Sequence, residues 1–570
     1  MNRLAFAVLA TLHATSLPAQ DLRRLAPQSP PPVQAPADRP APSAAASVSE
    51  DAILLPRLNG LVFLARPEQV AEPAHLDEHK LDMQRVPFLQ RADFAERVRS
   101  WIDRPLSRRD LDRLLAAINL YYAGHDRPFV HVSAPRQDVT EGVLRVLVVE
   151  GRLERIEVTG ARHFDEAYYR RAFGLAPGAS LEKSRIDAGL DWIARSNPFH
   201  AASVAAAPGS AFGTTDLELR VYERQPWRVY AGANNTGTDT TANERLMFGG
   251  NWGNAFGLGH QLSAQLTASP DLDKSLGLSA QYVMPLPWRH LLRVSAAASL
   301  VNADVPEGFD SDGKSWQVST SYEVPLASVG ALRHSVQLGM DFKRSDNNLE
   351  FGGIPVTDNV TDVAQAGLGW RGSLPDAYGE THVDVRVVYS PGKFGAHNDD
   401  EAFAGSRWGS KAAYSYGRMS LQRHTPLPAG FAWRVSVTWQ QSSENLLGSE
   451  QLGLSGTYGV RGYRESDLYA DEGLLVRNEL LLPAFGVLSR AGGTLTDQLQ
   501  LIAFSDYGRG NSRHRMSGER DHLDLSSAGL RAQYALGDSL SAVAEYGWQL
   551  KPLPGQSKGG RAHLGLMMSY

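Results

Sequence analysis

From about Trp227 to the C-terminus, apolar and polar residues alternate in runs of about ten, and helical spacing is absent. Trp316, Val318 and Tyr322 stand opposite Gln317, Ser319, Ser321 and Glu323. Leu262, Leu266 and two alanines oppose Gln261, Ser263, Gln265 and Thr267. Val383, Val385, Val387 and Tyr389 alternate with Asp384, Arg386 and Ser390, and Trp433, Val435, Val437 and Trp439 with Arg434, Ser436 and Gln440. A period of two with aromatics near the run ends predicts membrane strands, one face towards lipid and the other towards a lumen. Counting the runs gives a membrane β-barrel of about 16 antiparallel strands over residues 226–570. Every second connection is short: Pro285-Leu286-Pro287, Pro325 to Gly330, Pro426-Leu427-Pro428 and Gly537-Asp538. The others are longer and polar, which is the periplasmic-turn and external-loop asymmetry of such barrels. A soluble β-sandwich with this pattern would expose too much apolar surface.

Ahead of the barrel the spacing is mixed and repeats at intervals of about 75 residues. In the first copy, Leu61 to Leu64 is a predicted strand, and Phe94, Val98, Trp101 and Ile102 mark one helix face. A second helix opens at Ser107 with Asp110 three residues on, a capping-box start, and stops at Gly124. Strands follow around Val130 and Val132 and over Leu144, Val146 and Val148. The second copy has a strand with Leu153, Ile156 and Val158, a helix from Asp165, another from Ser184 with Asp187 at the same offset, and a strand from Asp216 to Tyr222. The order β-α-α-β-β thus occurs twice, as α+β units at residues 58–150 and 151–225. Residues 1–19 read as a signal peptide, with Arg3 before an apolar run. Residues 20–57 read as a linker rich in Pro and Ala, whose prolines forbid a continuous helix.

Composition narrows the chemistry. The 570 residues carry a net charge of −5, which offers no global attraction to nucleic acid. Absence of cysteine excludes disulfides, thiolate metal sites and cysteine nucleophiles. The histidines are scattered without a His-Glu-x-x-His pattern, so no metal site is expected. Gly453-Leu454-Ser455-Gly456-Thr457 fails as a nucleophile elbow at its last position. Gly253 to Gly259 fits a hairpin turn better than a phosphate cradle, and no Walker-type loop occurs. The expectation is therefore a protein that is not an enzyme and uses neither cofactor nor nucleotide.

The candidate site is a glycine-rich, aromatic stretch from Leu452 to Gly473 that contains Val460, Arg461, Gly462 and Tyr463. Strand parity places it in the sixth external loop, between strands eleven and twelve. Phe504, Asp506 and Gly508 follow on a predicted strand. A guanidinium and a carboxylate joined away from bulk water make a strong pair. Arg461 is therefore expected on a loop folded into the pore, and Asp506 on the wall that holds it.

Two β-α-α-β-β repeats before a barrel resemble paired POTRA domains on an outer-membrane transporter. Val460-Arg461-Gly462-Tyr463 is similar to the VRG(F/Y) signature of the sixth loop in the superfamily of barrel-assembly insertases and protein translocators. Phe504-x-Asp506-x-Gly508 is similar to its companion strand signature. Two repeats rather than three or five point to two-partner secretion transporters of the TpsB type, which export haemolysins and filamentous haemagglutinins. The resemblance implies an outer-membrane pore that takes an unfolded TpsA-type exoprotein from periplasmic POTRA domains to the cell surface or medium. Docking by strand addition is expected near Phe129, Val130, Val132 and Val204, with Arg97, Arg108, Arg109, Arg113, Arg170 and Arg171 as candidates for charge steering. The resemblance further implies a monomer in outer-membrane lipid, inserted by the barrel-assembly machinery. Leu564, Leu566, Met568 and Tyr570 on one face of the last strand suit the insertion signal. Members of the branch often carry an N-terminal plug helix; here the corresponding segment is short and broken by proline. The alternatives are an assembly insertase, whose kin usually carry more repeats, and a passive porin, which needs neither the repeats nor the Arg461 loop.

Overall fold

Strands with one apolar face leave no stable open edge in lipid, so closure is the solution the alternation requires. In the computed structural model, sixteen strands close into one antiparallel barrel, from Trp227–Asn234 to Gly560–Ser569. The structure describes residues 25–36, 52–303, 309–351, 354–488, 496–516, 522–553 and 557–570. The expected signal peptide lies outside them, as does most of the expected linker.

Alternation is read out as burial. Trp316, Val318, Val387, Tyr389, Trp433 and Trp439 are exposed on the outer face, whereas Gln317, Ser319, Glu323 and Gln440 are buried in the lumen. The first and last strands seal the barrel by pairing Tyr230–Asn234 with Gly565–Ser569, antiparallel. On the last strand Leu564, Leu566 and Met568 face outwards, and the Tyr570 backbone exchanges hydrogen bonds with Val229. The short connections fall where the prolines and glycines placed them, and residues 256–259 form the expected hairpin turn.

The chain divides into two compact units, one from Pro32 to Arg224 and a barrel unit that joins Gln225–Tyr570 with the described residues 25–31. In the first repeat, the sheet order is Leu81–Asp82, Gly60–Leu64, Val143–Glu150, Val130–Ser133. Helices Ala92–Arg99 and Arg108–Gly124 cover it, and Phe94, Val98, Leu114 and Ile118 meet Leu61, Phe63 and Val146 in the core. The capping box is formed as expected: the Ser107 hydroxyl accepts from Asp110 N, and the Asp110 carboxylate accepts from Ser107 N. Ordered pairing starts before residue 58, because Ile53–Leu55 joins Leu106–Ser107.

In the second repeat, Thr214–Glu223 is the central strand between Arg152–Thr159 and His200–Pro208. Asp165 caps helix Glu166–Phe173, as the sequence suggests. The next helix departs from expectation. It starts at Lys183, and its cap comes from the first repeat: Ser184 N donates to Asp126 Oδ1 at 2.7 Å and Lys183 N to Asp126 O at 3.0 Å. Asp187 pairs with Lys183 on the surface rather than closing a box with Ser184.

Candidate functional site

The sixth external connection, between strands Ala432–Ser442 and Glu472–Leu481, folds back into the barrel as a hairpin. Its arms pair Leu452–Gly453 with Tyr469–Ala470, and Leu454 N donates to Leu468 O. Glycine is required at the tip. Gly462 has φ +91°, and a Cβ there would lie 2.7 Å from the carbonyl oxygen of Gly547. Leu452, Leu454, Val460, Tyr463 and Ala470 form an apolar cluster with Leu475, Leu525 and Leu553, so the hairpin has a small core of its own.

Arg461 is fully buried. Its Nε and Nη2 donate to the two oxygens of Asp506 at 2.7 Å each, its backbone N donates to Asp506 Oδ2 at 3.1 Å, and Nη1 donates to Glu479 Oε1 at 2.7 Å. The guanidinium carbon sits 3.7 Å from the centre of the Phe504 ring. A bidentate pair capped by an aromatic face, with water excluded, uses the planar fork that lysine lacks. Around it stand Arg434, 3.0 Å from Glu479, Arg477, 3.9 Å from Asp506, and Glu545, 3.9 Å from Arg461. Four arginines and three carboxylates thus alternate across this wall once Arg531, 3.6 Å from Glu545, is included.

Strand Asp497–Asn511 explains why Phe504, Asp506 and Gly508 share a spacing of two: all three face the lumen. Gly508 leaves room for Val460, since a Cβ there would lie 2.8 Å from Val460 Cγ2. The sequence-predicted site residues of loop and wall are therefore brought together. The Tyr463 hydroxyl donates to Ser526 O at 3.1 Å, and Gln549 Nε2 donates to Gly462 O at 2.9 Å.

Sequence reading missed Glu479, Gln549, Gly529 and Gly547. Glu479 carried a signal, an acid two places after Arg477 and so on the same face of the strand. The glycines carried none. Gly529 receives the Phe504 ring and Gly547 the Arg461–Gly462 backbone, contacts that depend on strands remote in sequence. A second anchor at the hairpin base was also missed. Glu450 is buried and bonded to Lys343, Gln365 and Tyr416. Asp471 accepts from Arg407, Leu446 N, Gln451 and Arg513 N, joining three external connections.

The docking candidates lie on the repeats. Val130 and Val132 belong to edge strand Val130–Ser133, which pairs on one side only, and Phe129 O, just before it, accepts from Gly151 N. Their side chains pack on the core, so the edge offers main chain. Val204 is on edge strand His200–Pro208. Several candidate steering arginines have local partners instead: Arg108 with Asp112, Arg113 with Asp110, Arg170 with Glu166. Among the described residues no group of His, Asp and Glu could hold a metal ion.

Residues 213–532 match the family model for haemolysin secretion/activation proteins of the ShlB/FhaC/HecB group, and residues 77–151 match the ShlB-type POTRA domain. The outer membrane transporter CdiB of Dickeya dadantii is 25% identical over 60% of this chain and 61% of its own length. The heme/hemopexin transporter protein HuxB of Haemophilus influenzae is 19% identical over 80% of this chain and 79% of its own. The solved structure of CdiB from Escherichia coli superposes with a TM-score of 0.71 at 18% identity, covering 93% of both chains, and so shares the fold.

Proposed function

The chain belongs to the haemolysin secretion/activation protein family, and on that premise we propose that it is the outer-membrane pore of a two-partner secretion pair. It takes an unfolded exoprotein of the TpsA type from the periplasm to the cell surface or medium. The cargo docks as an added strand on the open edges at Val130–Ser133 and His200–Pro208, using main-chain hydrogen bonds. It then passes a lumen of Gln, Ser, Arg, Glu and Asp side chains, which solvate a sliding chain without holding it. No nucleotide takes part; folding of the cargo outside supplies the direction. The transporter works as a monomer in lipid, inserted by the barrel-assembly machinery through the strand that carries Leu564, Leu566, Met568 and Tyr570.

The observation that favours a protein-handling pore over a passive porin is the buried Arg461 held by Asp506 and Glu479 inside a closed barrel, and the family match over residues 213–532 favours export over membrane-protein assembly. A passive porin has no use for a hairpin locked to its wall by charge. Arg461→Ala is expected to lower export strongly while the barrel still inserts. Export at the parental rate from an inserted Arg461→Ala protein counts against the tether.

A further inference from the structure

At the external end of the barrel, a group of charged side chains stands on the outer face of the wall, turned away from the pore. On strand Asp497–Asn511, Phe504, Asp506 and Gly508 face the lumen, so Arg509 faces out. On strand Leu523–Leu536, Leu525 is buried against the hairpin and Leu530 is exposed, so Asp524 faces out as well. Trp439, Leu474, Arg509 and Asp524 are successive partners in one cross-strand row. Trp439 is an exposed aromatic of the outer face, which sets this row at the upper margin of the lipid-facing belt. Tyr507 lies one step below Arg509 on the same face, and Trp548 is exposed two strands on.

The charges gather around Asp524. Arg509 Nε is 3.8 Å from Asp524 Oδ1, and Lys551 Nζ and His522 Nε2 are 3.9 and 3.5 Å from Oδ2. The Tyr507 hydroxyl donates to Oδ1 at 3.0 Å. Neither the guanidinium nor the ammonium reaches hydrogen-bond distance of the carboxylate. Their side chains are 52% and 53% exposed, against 23% for Asp524. Among the described residues this place therefore sets two permanent positive charges around one negative. Other outward pairs at this end balance one to one. Arg513 meets Glu472 at 3.4 Å, and Arg344, on the face of Met340 and Phe342, holds Asp362 through two bonds of 2.7 and 2.9 Å.

We propose that Arg509 and Lys551, with His522 beside them, form a site on the outer face of the barrel for a phosphate group of an outer-leaflet glycolipid. The site is turned away from the pore, so a polypeptide in transit does not meet it, and membrane lipid does. The protein supplies one carboxylate for two cations, and the missing charge has to come from the surroundings. Anionic headgroups gather at basic groups beside a membrane span. A phosphate offers several acceptor oxygens, enough for a guanidinium and an ammonium together, and such bonds strengthen where lipid displaces water. Below the charges, Leu474 and the rings of Tyr507 and Trp548 give the acyl chains an apolar wall. The inference rests on the place of the barrel in the outer membrane and is independent of what the pore carries.

The test uses purified full-length protein in non-ionic detergent, with bound lipid counted by native mass spectrometry. Bisphosphoryl lipid A is the probe, and the same glycolipid without its phosphates and inorganic phosphate are the comparisons. Loss of the phosphates is expected to weaken binding by about tenfold or more, and millimolar inorganic phosphate should displace little of the lipid. Arg509→Gln with Lys551→Gln should weaken binding of lipid A to the same extent. Arg344→Gln, which removes a cation with its own carboxylate, should change it less than about twofold. Asp524→Asn removes the competing anion and should tighten binding about threefold, whereas a residue that merely held the wall together would weaken it. Lys551→Ala, beyond the end of its strand, is the milder second variant, and heat-modifiable gel mobility confirms that each barrel is folded. The proposal is overturned if binding ignores the phosphates or the double substitution, or if Asp524→Asn weakens it. Complete displacement by inorganic phosphate also overturns it, because the site then takes free anions. Each of these outcomes leaves the export reading untouched.

Discussion

Asp506→Asn keeps the volume of the wall residue and removes its charge. Arg461 has no solvent exposure, and Asp506 receives three of its hydrogen bonds against one for Glu479. An asparagine presents one acceptor oxygen and turns a donor towards the second N–H, so the bidentate contact is lost. Removing one partner of a buried ion pair costs about 3–5 kcal/mol. Glu479 still faces the guanidinium, so the low end applies. About 3 kcal/mol shifts the balance between docked and released hairpin roughly a hundredfold. Glu479→Gln leaves the bidentate pair intact and weakens one charge-assisted bond, about 1.5 kcal/mol or roughly tenfold. Exchanging the charges, Arg461→Asp with Asp506→Arg, should not restore docking. The new arginine would face Arg477, now 3.9 Å from Asp506, and the new aspartate would face Glu479 and Glu545. The assays are exported protein in the medium, protease access to residues 452–470 from outside intact cells, and heat-modifiable mobility as the control for barrel folding. Near-parental export from the exchanged pair, or equal losses for Glu479→Gln and Asp506→Asn, would refute the reasoning.

Three other outcomes are expected. Gly547→Val should release the hairpin without touching any charge, because a Cβ there meets Gly462 N at 2.7 Å, and its export defect should match that of Arg461→Ala. Asp471→Asn should loosen the external connections it joins, with a loss of about 2–3 kcal/mol read as faster protease cleavage near Arg407 and Arg513 on intact cells. His200 is 1% exposed among Phe164, Tyr168 and Tyr169, and burial pushes its pKa down to about 3. Its folded pKa lies below the unfolded value, so the stabilisation is full above about pH 6.5 and drains by about 1.4 kcal/mol per unit as pH falls towards 3. Hydrogen exchange in Glu166–Phe173, corrected for intrinsic rate, should quicken between pH 7 and pH 5 in the parent and much less in His200→Phe.

The barrel was legible because lipid and lumen impose the period of two on every strand, and Trp316 against Gln317 shows the rule residue by residue. The contact was legible because Val460–Tyr463 and Phe504–Gly508 together resemble the paired loop and strand signatures of the superfamily, whereas either stretch alone says little. What escaped depends on register between distant strands. Nothing local to Gly529 says that Phe504 will lie over it, nor to Gly547 that a hairpin will press on it. The Ser184 start shows the same limit on a smaller scale. The residue pattern of a capped helix was present, yet the cap comes from Asp126 in the preceding repeat. Proline ruled out a long helix after Leu25, but no local rule says that Leu25–Gln28 will lie on the barrel wall.

Docking of the hairpin against that wall can be measured directly, because the chain has no cysteine of its own. A Cβ on Gly508 would lie 2.8 Å from Val460 Cγ2. One bond further, the two Cβ positions fall within about 4.3 Å, inside the range a disulfide spans. With Val460→Cys and Gly508→Cys in the full-length protein in outer membranes, mild oxidation should cross-link nearly all molecules. Val460→Cys paired with Gly417→Cys, on the opposite strand face from buried Tyr416, should give none. A folded barrel in which the first pair links no better than the second would show that the hairpin does not lie where the transport reading needs it.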